Sequence, residues 1–194
     1  MRILITSSRL PFALALIRKL AEAGHEVHAS DAYAVAAGSH SRYLSGSLVT
    51  AAPAQESEAF VDDVERYCEA ERIERIVPAF EEAFYLATQH ERLSATSELF
   101  TPPFATLARL HDKATFTELA SRLDLPLPIT TVVRSPEELR SAIEPLEHWF
   151  ARACFSRGGV ALLTNHGPLA GHTRIEDVTP TAAQPWLVQP YVEG

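Results

Sequence analysis

The chain has 194 residues, 46% hydrophobic and 22% charged, with 17 Lys and Arg against 25 Asp and Glu for a formal charge of −8. That length suits one large domain or two small ones, and that balance is an ordinary globular one, neither disordered nor membrane-spanning. The negative charge argues against a surface that tracks phosphates along its length, so nucleic acid is not an expected partner. Cys68 and Cys154 form no CxxC pair, and the eight histidines show no HxxxH or HExxH spacing. A disulfide framework and a thiolate or histidine metal site are therefore not supported, and a reducing cytoplasm fits. An apolar run over 11–17 stops at Arg18 and Lys19, too short for a membrane span, and no signal peptide is assigned.

Arg2-Ile3-Leu4-Ile5-Thr6 is a nearly continuous apolar run, as in a strand buried on both faces. Pro11 suits the first turn of a following helix with Phe12, Leu16, Ile17 and Leu20 at helical spacing, and Gly24 suits its C-terminus. A second strand over 26–31 completes a β-α-β unit, which favours parallel pairing with a right-handed crossover. Residues 38–56 read as a long connection with a short strand over 47–50. A helix over 57–71 carries Phe60, Val64 and Tyr67 on one face. A strand over 73–80, a helix over 81–92 and a strand over 98–101 continue the alternation. Strands interleaved with helices in this way predict an open, doubly wound, mostly parallel sheet.

After Pro102-Pro103 the pattern changes to α+β, and a boundary is expected near Ala108, giving domains 1–108 and 109–194. Asp112 is placed to cap a helix over 112–123 with Phe116, Leu119, Ala120 and Leu123 inward. Strands are expected over 129–133, 148–154, 160–164 and 186–192, with one helix over 136–146.

The first strand–helix turn, Thr6-Ser7-Ser8-Arg9-Leu10-Pro11, has no glycine at which a pyrophosphate could approach the backbone, although Asp31 stands where a ribose-binding acid would. Glu81-Glu82 follow the strand over 73–80 at the end where α/β sheets place ligands; as a pair they suit acid–base work or a ligand amine, and as first-turn acids they suit the helix dipole. Arg152 interrupts an apolar strand, Trp149-Phe150-Ala151 before it and Ala153-Cys154-Phe155 after it. A strand arginine so flanked is aimed at an anion or snorkels from a sheet edge, because an unpaired buried guanidinium is costly. Ser156-Arg157-Gly158-Gly159 offers successive backbone N–H groups and free φ, the properties of a phosphate-covering loop. In Gln189-Pro190-Tyr191-Val192, on what reads as an edge strand, the Pro190 carbonyl can accept from an adenine amino group and the Val192 N–H can donate to a ring nitrogen. With Lys113 in a first helical turn, these segments arrive in the order of a nucleotide clamp: two cations, a phosphate cover and a base-binding strand.

In this order the chain resembles the N-terminal part of an ATP-grasp protein, in the group holding the carbamoyl-phosphate synthetase large subunit and biotin carboxylase. The resemblance implies a Rossmann-like preATP-grasp α/β domain over 1–108, followed by the linking helices and the smaller α+β lid subdomain over 109–194. It places Lys113 at the family's first phosphate-contacting lysine. Arg152-Ala153-Cys154-Phe155 resembles the arginine stretch of the carbamoyl-phosphate synthetases, residues 156–159 the lid's glycine loop, and residues 189–192 the adenine hinge, where many members carry an acid in place of Gln189.

The implied ligands are ATP with Mg2+, a small-molecule carboxylate, and an amine or other nucleophile joined to it through an acyl-phosphate. No catalytic residue and no metal ligand is assigned, because the family's Glu and Asn magnesium ligands and its catalytic arginine follow the hinge and are expected beyond Gly194. The resemblance leaves room for a homo-oligomer and gives no role to a membrane. For these residues alone the expectation is no turnover and nucleotide binding no tighter than about millimolar, since one wall of the base pocket and the metal would be missing. The alternatives are a non-catalytic module that keeps the fold and binds a ligand or partner, and a scaffold that assembles with a separate catalytic chain.

Overall fold

The computed structural model describes residues 1–157 and 159–192. The chain divides into two compact units, Met1–Leu107 and Ala108–Gly194.

In the first unit, β1 (Arg2–Ile5), α1 (Pro11–Glu22), β2 (Glu26–Asp31), β3 (Gly46–Val49), α2 (Ser57–Glu71), β4 (Arg75–Val77), α3 (Glu82–Thr88), α4 (His90–Leu93) and β5 (Glu98–Leu99) follow one another. The five strands form one parallel sheet in the order β3-β2-β1-β4-β5. Strand β1 alternates between two cores, which is why its apolar run is continuous. Ile3 and Ile5 pack with Ala13 and Ile17 of α1 on one face, and Leu4 packs with Phe60, Val64 and Cys68 of α2 on the other. Pro11 occupies the first turn of α1, and Gly24 takes φ +84° just beyond its end.

Three expected elements of the first unit are shorter or broken, and one of them, the strand expected over 98–101, is only β5. The expected strand over 73–80 is only β4, because Arg72 turns left-handed (φ +53°) so that Ile73 N–H reaches the Cys68 carbonyl, and Pro78 has no N–H for a ladder. The expected helix over 81–92 is split at Gln89 (φ −114°, ψ 27°), where the Thr88 hydroxyl donates to the Tyr85 carbonyl and competes with the helical bond.

A helix that periodicity did not single out, α5 (Phe104–His111), carries the division between the units. The second unit continues with α6 (Lys113–Arg122), β6 (Thr131–Val133), α7 (Pro136–Ile143), β7 (Trp149–Ala153), β8 (Leu162–Thr164) and β9 (Trp186–Pro190). Its four strands are antiparallel in the order β6-β9-β7-β8. Ser135 caps α7 by accepting the Glu138 N–H, while the Glu138 carboxylate accepts the Arg134 N–H. Leu139 of α7 packs on Val133, Ala151, Trp186 and Val188, so one face of this sheet is a closed core. Helix α6 differs from expectation. Of its inward set only Ala120 is buried, while Phe116 and Leu123 are 44% and 61% exposed. Helical periodicity reports that a face is apolar, not that the described residues cover it.

Candidate functional site

Strand alternation sets the candidate site on the other face of the second sheet. Trp149, Ala151 and Ala153 point into the α7 core, so Phe150 and Arg152 point away from it. Their direct partners on β9 are Gln189 and Leu187, so two cross-strand pairs, Phe150–Gln189 and Arg152–Leu187, lie side by side on this face. Strand β7 is interior, flanked by β8 and β9, so Arg152 is not a snorkelling edge residue. Its guanidinium lies 5.8 Å from the centre of the Phe150 ring, and its Nε is buried without a hydrogen-bond partner among the described residues. A buried N–H left unpaired is costly, and an anion arriving at this face would remove the cost.

Lys113 lies beside it. Asp112 caps α6 by accepting from Ala114 N–H (2.8 Å) and Thr115 N–H (3.1 Å), which holds Lys113 at the first helical position. The Lys113 N–H donates to the Cys154 carbonyl at 3.0 Å, and its ammonium donates to the carbonyls of Cys154 (3.1 Å) and Ser156. Burial, and after it the positive charge of Arg152, hold the Lys113 ammonium below the usual lysine range. Two cations held near one another in this way favour a polyanion between them.

The segment after β7 is anchored at both ends. Ser156 Oγ donates to the Ala153 carbonyl, and Val160 N–H closes a turn on the Arg157 carbonyl. Gly159 takes φ +72° in open space, a conformation that suits glycine. Gly158, expected as part of this loop, lies outside the described residues.

At the strand expected to bind a base the structure corrects one expectation. Strand β9 is not an edge: it lies between β6 and β7. Among the described residues, however, the β6 ladder does not reach Pro190. Tyr191 N–H donates to the His148 carbonyl at 2.9 Å, toward β7. Backbone groups of successive residues point to alternate sides, so the Pro190 carbonyl points the other way. On that side β6 has ended, since Thr131 pairs with Val188 and no further residue of β6 continues the ladder. The N–H that proline lacks would fall on the same unpaired side. Val192, 68% exposed, lies two residues on with the same parity. Tyr191 is fixed by an edge contact to His166 (4.8 Å between ring centres), which stacks on His148 at 4.0 Å, and by Gly167, where an added Cβ would lie 2.5 Å from the Tyr191 hydroxyl.

Thus Lys113, Arg152 and Ser156 are brought together, and Gln189 shares the face of Arg152. Arg157 and Gly159 are exposed on the loop, while Pro190 and Val192 lie along the strand margin. Sequence reasoning missed Thr130, whose hydroxyl contacts Gln189; it fell inside the strand expected over 129–133, which starts only at Thr131. Among the described residues no group of three or more His, Cys, Asp or Glu is placed to hold a metal ion.

In the first unit the glycine-free turn after β1 is covered from above. Gly38 N–H donates to the Ser8 carbonyl at 2.8 Å, and Asp31 is engaged by the Arg9 N–H and guanidinium, both at 2.8 Å. Glu82 is buried with Oε1 3.6 Å from Arg9, so this first-turn acid is held in an internal ion pair. Among the described residues no helix is long and apolar enough to cross a membrane.

Comparison with solved structures assigns the fold. An L-amino acid ligase from Bacillus licheniformis superposes with a TM-score of 0.72 at 14% identity, over 100% of this chain and 44% of the ligase. Biotin carboxylase from Campylobacter jejuni, solved as a β,γ-ATP complex, gives 0.72 at 14% identity, over 98% of this chain and 45% of that one. A RimK-domain ATP-grasp protein from Sphaerobacter thermophilus gives 0.62 at 17% identity, over 100% and 65%. The fold is that of ATP-grasp proteins. This chain spans less than half the length of the first two. No protein-family model matches the sequence, and no curated protein does.

Proposed function

We propose that the chain is the ATP-binding portion of an ATP-grasp ligase, with residues 1–108 as its preATP-grasp domain and 109–194 as its linking helices and lid. The observation that carries this reading is the unpartnered, buried Arg152 Nε on an interior strand beside Lys113. The fold shared with ATP-grasp proteins supports it.

Bound ATP would supply a phosphoryl group that activates a carboxylate as an acyl-phosphate, for attack by an amine or other nucleophile. The residues of this chain bind and orient. Arg152 and Lys113 offset the charge of the β- and γ-phosphates, and Lys113 exchanges its carbonyl partners for phosphate oxygens when it does so. Ser156, Arg157 and Gly159 cover the phosphates. Gln189, Pro190, Tyr191 and Val192 hold the base. Leu187 and Phe150 give its ring an apolar floor and exclude water from one side.

Saturation-transfer NMR of the 194-residue chain with ATP tests this, because it reads millimolar affinities. The expected result is transfer to the adenine protons, strongly reduced in a Lys113→Met, Arg152→Met double variant that remains folded. No transfer, or equal transfer in the double variant, would overturn the reading.

A further inference from the structure

Lysine is scarce in this chain: of its 17 Lys and Arg residues only Lys19 and Lys113 are lysines. Arginine serves everywhere else, position 152 included, so a need for positive charge does not by itself account for a lysine at 113. What lysine has and arginine lacks is a nitrogen that can give up a proton and become a nucleophile. Lys113 Nζ donates to two backbone carbonyls, those of Cys154 (3.1 Å) and Ser156. An ammonium has three N–H donors, and among the described residues no third acceptor meets it. A neutral amine has two N–H groups and a lone pair, so the same two carbonyls satisfy it and leave the lone pair turned away from them. Burial, and after it the charge of Arg152, favour this neutral form. Beside it the Arg152 Nε is buried without a partner among the described residues. A half-buried amine with an aimed lone pair thus stands next to a guanidinium that lacks an anion.

We propose that Lys113 is an acylation site, an amine acceptor for small acyl phosphates that dock their phosphate on Arg152. The Nζ lone pair attacks the acyl carbonyl carbon. The N–C amide bond forms, the bond from that carbon to the phosphate oxygen breaks, and inorganic phosphate leaves with the electron pair. The proton released from the amine passes to water or to the departing phosphate, and nothing is oxidised or reduced. Docking gives Lys113 its advantage over other amines, because holding donor and acceptor together replaces a bimolecular encounter. The product is an uncharged amide, and it leaves Arg152 as the one cation of the pair. The modification stands on the geometry of Lys113 and Arg152 alone. Its consequence, a weakened hold on nucleotide, rests on the nucleotide-site reading above. Under that reading the acyl-phosphate intermediate is itself the donor whenever the acceptor nucleophile is lacking, and acylation of Lys113 shuts the site.

The test is treatment of the full chain with acetyl phosphate in mildly alkaline buffer, followed over time by peptide mapping with mass spectrometry. Lys19, whose side chain is 81% exposed, is the internal control. Lys113 is expected to be acetylated about tenfold or more faster than Lys19, the effect of docking the donor beside the amine. Inorganic phosphate should slow the reaction at Lys113 and not at Lys19, and in the urea-unfolded chain the two lysines should react alike. A folded Arg152→Met variant should lose the preference. Saturation transfer from ATP should then fall in the acetylated chain. Equal rates at the two lysines of the folded native chain, or a preference unchanged in Arg152→Met, overturns the proposal and leaves the nucleotide site standing. Selective acetylation that leaves ATP transfer intact upholds the modification site and overturns the placement of Lys113 at the nucleotide.

Discussion

Replacing Arg152 with methionine should make the second unit more stable while weakening its hold on nucleotide. In the free protein the Arg152 Nε is buried without a partner among the described residues, which costs about 1–3 kcal/mol. Against this, methionine loses the attraction of the guanidinium to the Phe150 ring at 5.8 Å, about 0.5–1 kcal/mol at a partly exposed site. Methionine keeps the length and most of the apolar stem, so little packing is lost. The difference is a net gain of about 0–2.5 kcal/mol, and the substitution removes the positive charge that adds to burial in lowering the Lys113 ammonium. Trp149 and Trp186 are the two tryptophans and both belong to the second unit, so urea unfolding followed by tryptophan fluorescence reads that unit alone. A gain near 1 kcal/mol moves the midpoint upward by about 0.5–1 M urea. A drop of 1 kcal/mol or more would show that Arg152 is held by structural partners and would refute the argument that its place awaits an anion.

Gly46→Ala should destabilise the first unit by about 1–3 kcal/mol by overpacking, since the new Cβ would lie 2.6 Å from the Tyr67 hydroxyl and 2.8 Å from His28 Nδ1; thermal unfolding by circular dichroism measures it, and Tyr67→Phe in the same chain should recover part of the loss. Burial pushes the Cys68 and Cys154 thiols up to about 11, so iodoacetamide at pH 8 should alkylate neither until the chain unfolds, as read by intact mass. Lys113 has a folded pKa below its unfolded value, so between the two the unfolded chain binds more protons and stability rises with pH, whereas phosphate affinity falls over the same window because the ammonium is lost. Paired urea and ATP titrations from pH 7.5 upward should show these opposite slopes, and Lys113→Met should remove both.

The parts of the fold that were legible in the sequence are those whose causes are local. Strand β2 and helix α2 were expected at 26–31 and 57–71 and occur there, because alternation, helical spacing and end residues all lie within the segment. The break at Gln89 turns on one hydroxyl back-bond and has no periodic signature. Helix α5 is short and has no buried residue, although Pro102-Pro103 before Phe104, Leu107 and Leu110 at threefold spacing could have marked it.

Within the candidate site, Arg152 stood out because a cation in an apolar strand is a local anomaly. The tether between Thr130 and Gln189 could not be read, since it joins residues 59 apart through a register that only the folded sheet defines. The carbonyl cradle of Lys113 is hidden for the same reason, as it depends on α6 meeting the segment after β7. Likewise, composition marked β9 as a strand with a usable carbonyl, but whether that carbonyl is paired depends on where β6 stops.

The most direct measurement is photolabelling of the 194-residue chain with 8-azido-ATP, followed by peptide mapping and competition with excess ATP. Label confined to peptides around β7 and residues 186–192, displaced by ATP and reduced in Arg152→Met, is the predicted result. Displaceable label on peptides of the first unit, with the second unit unlabelled, would contradict the placement of the nucleotide on the face of Arg152.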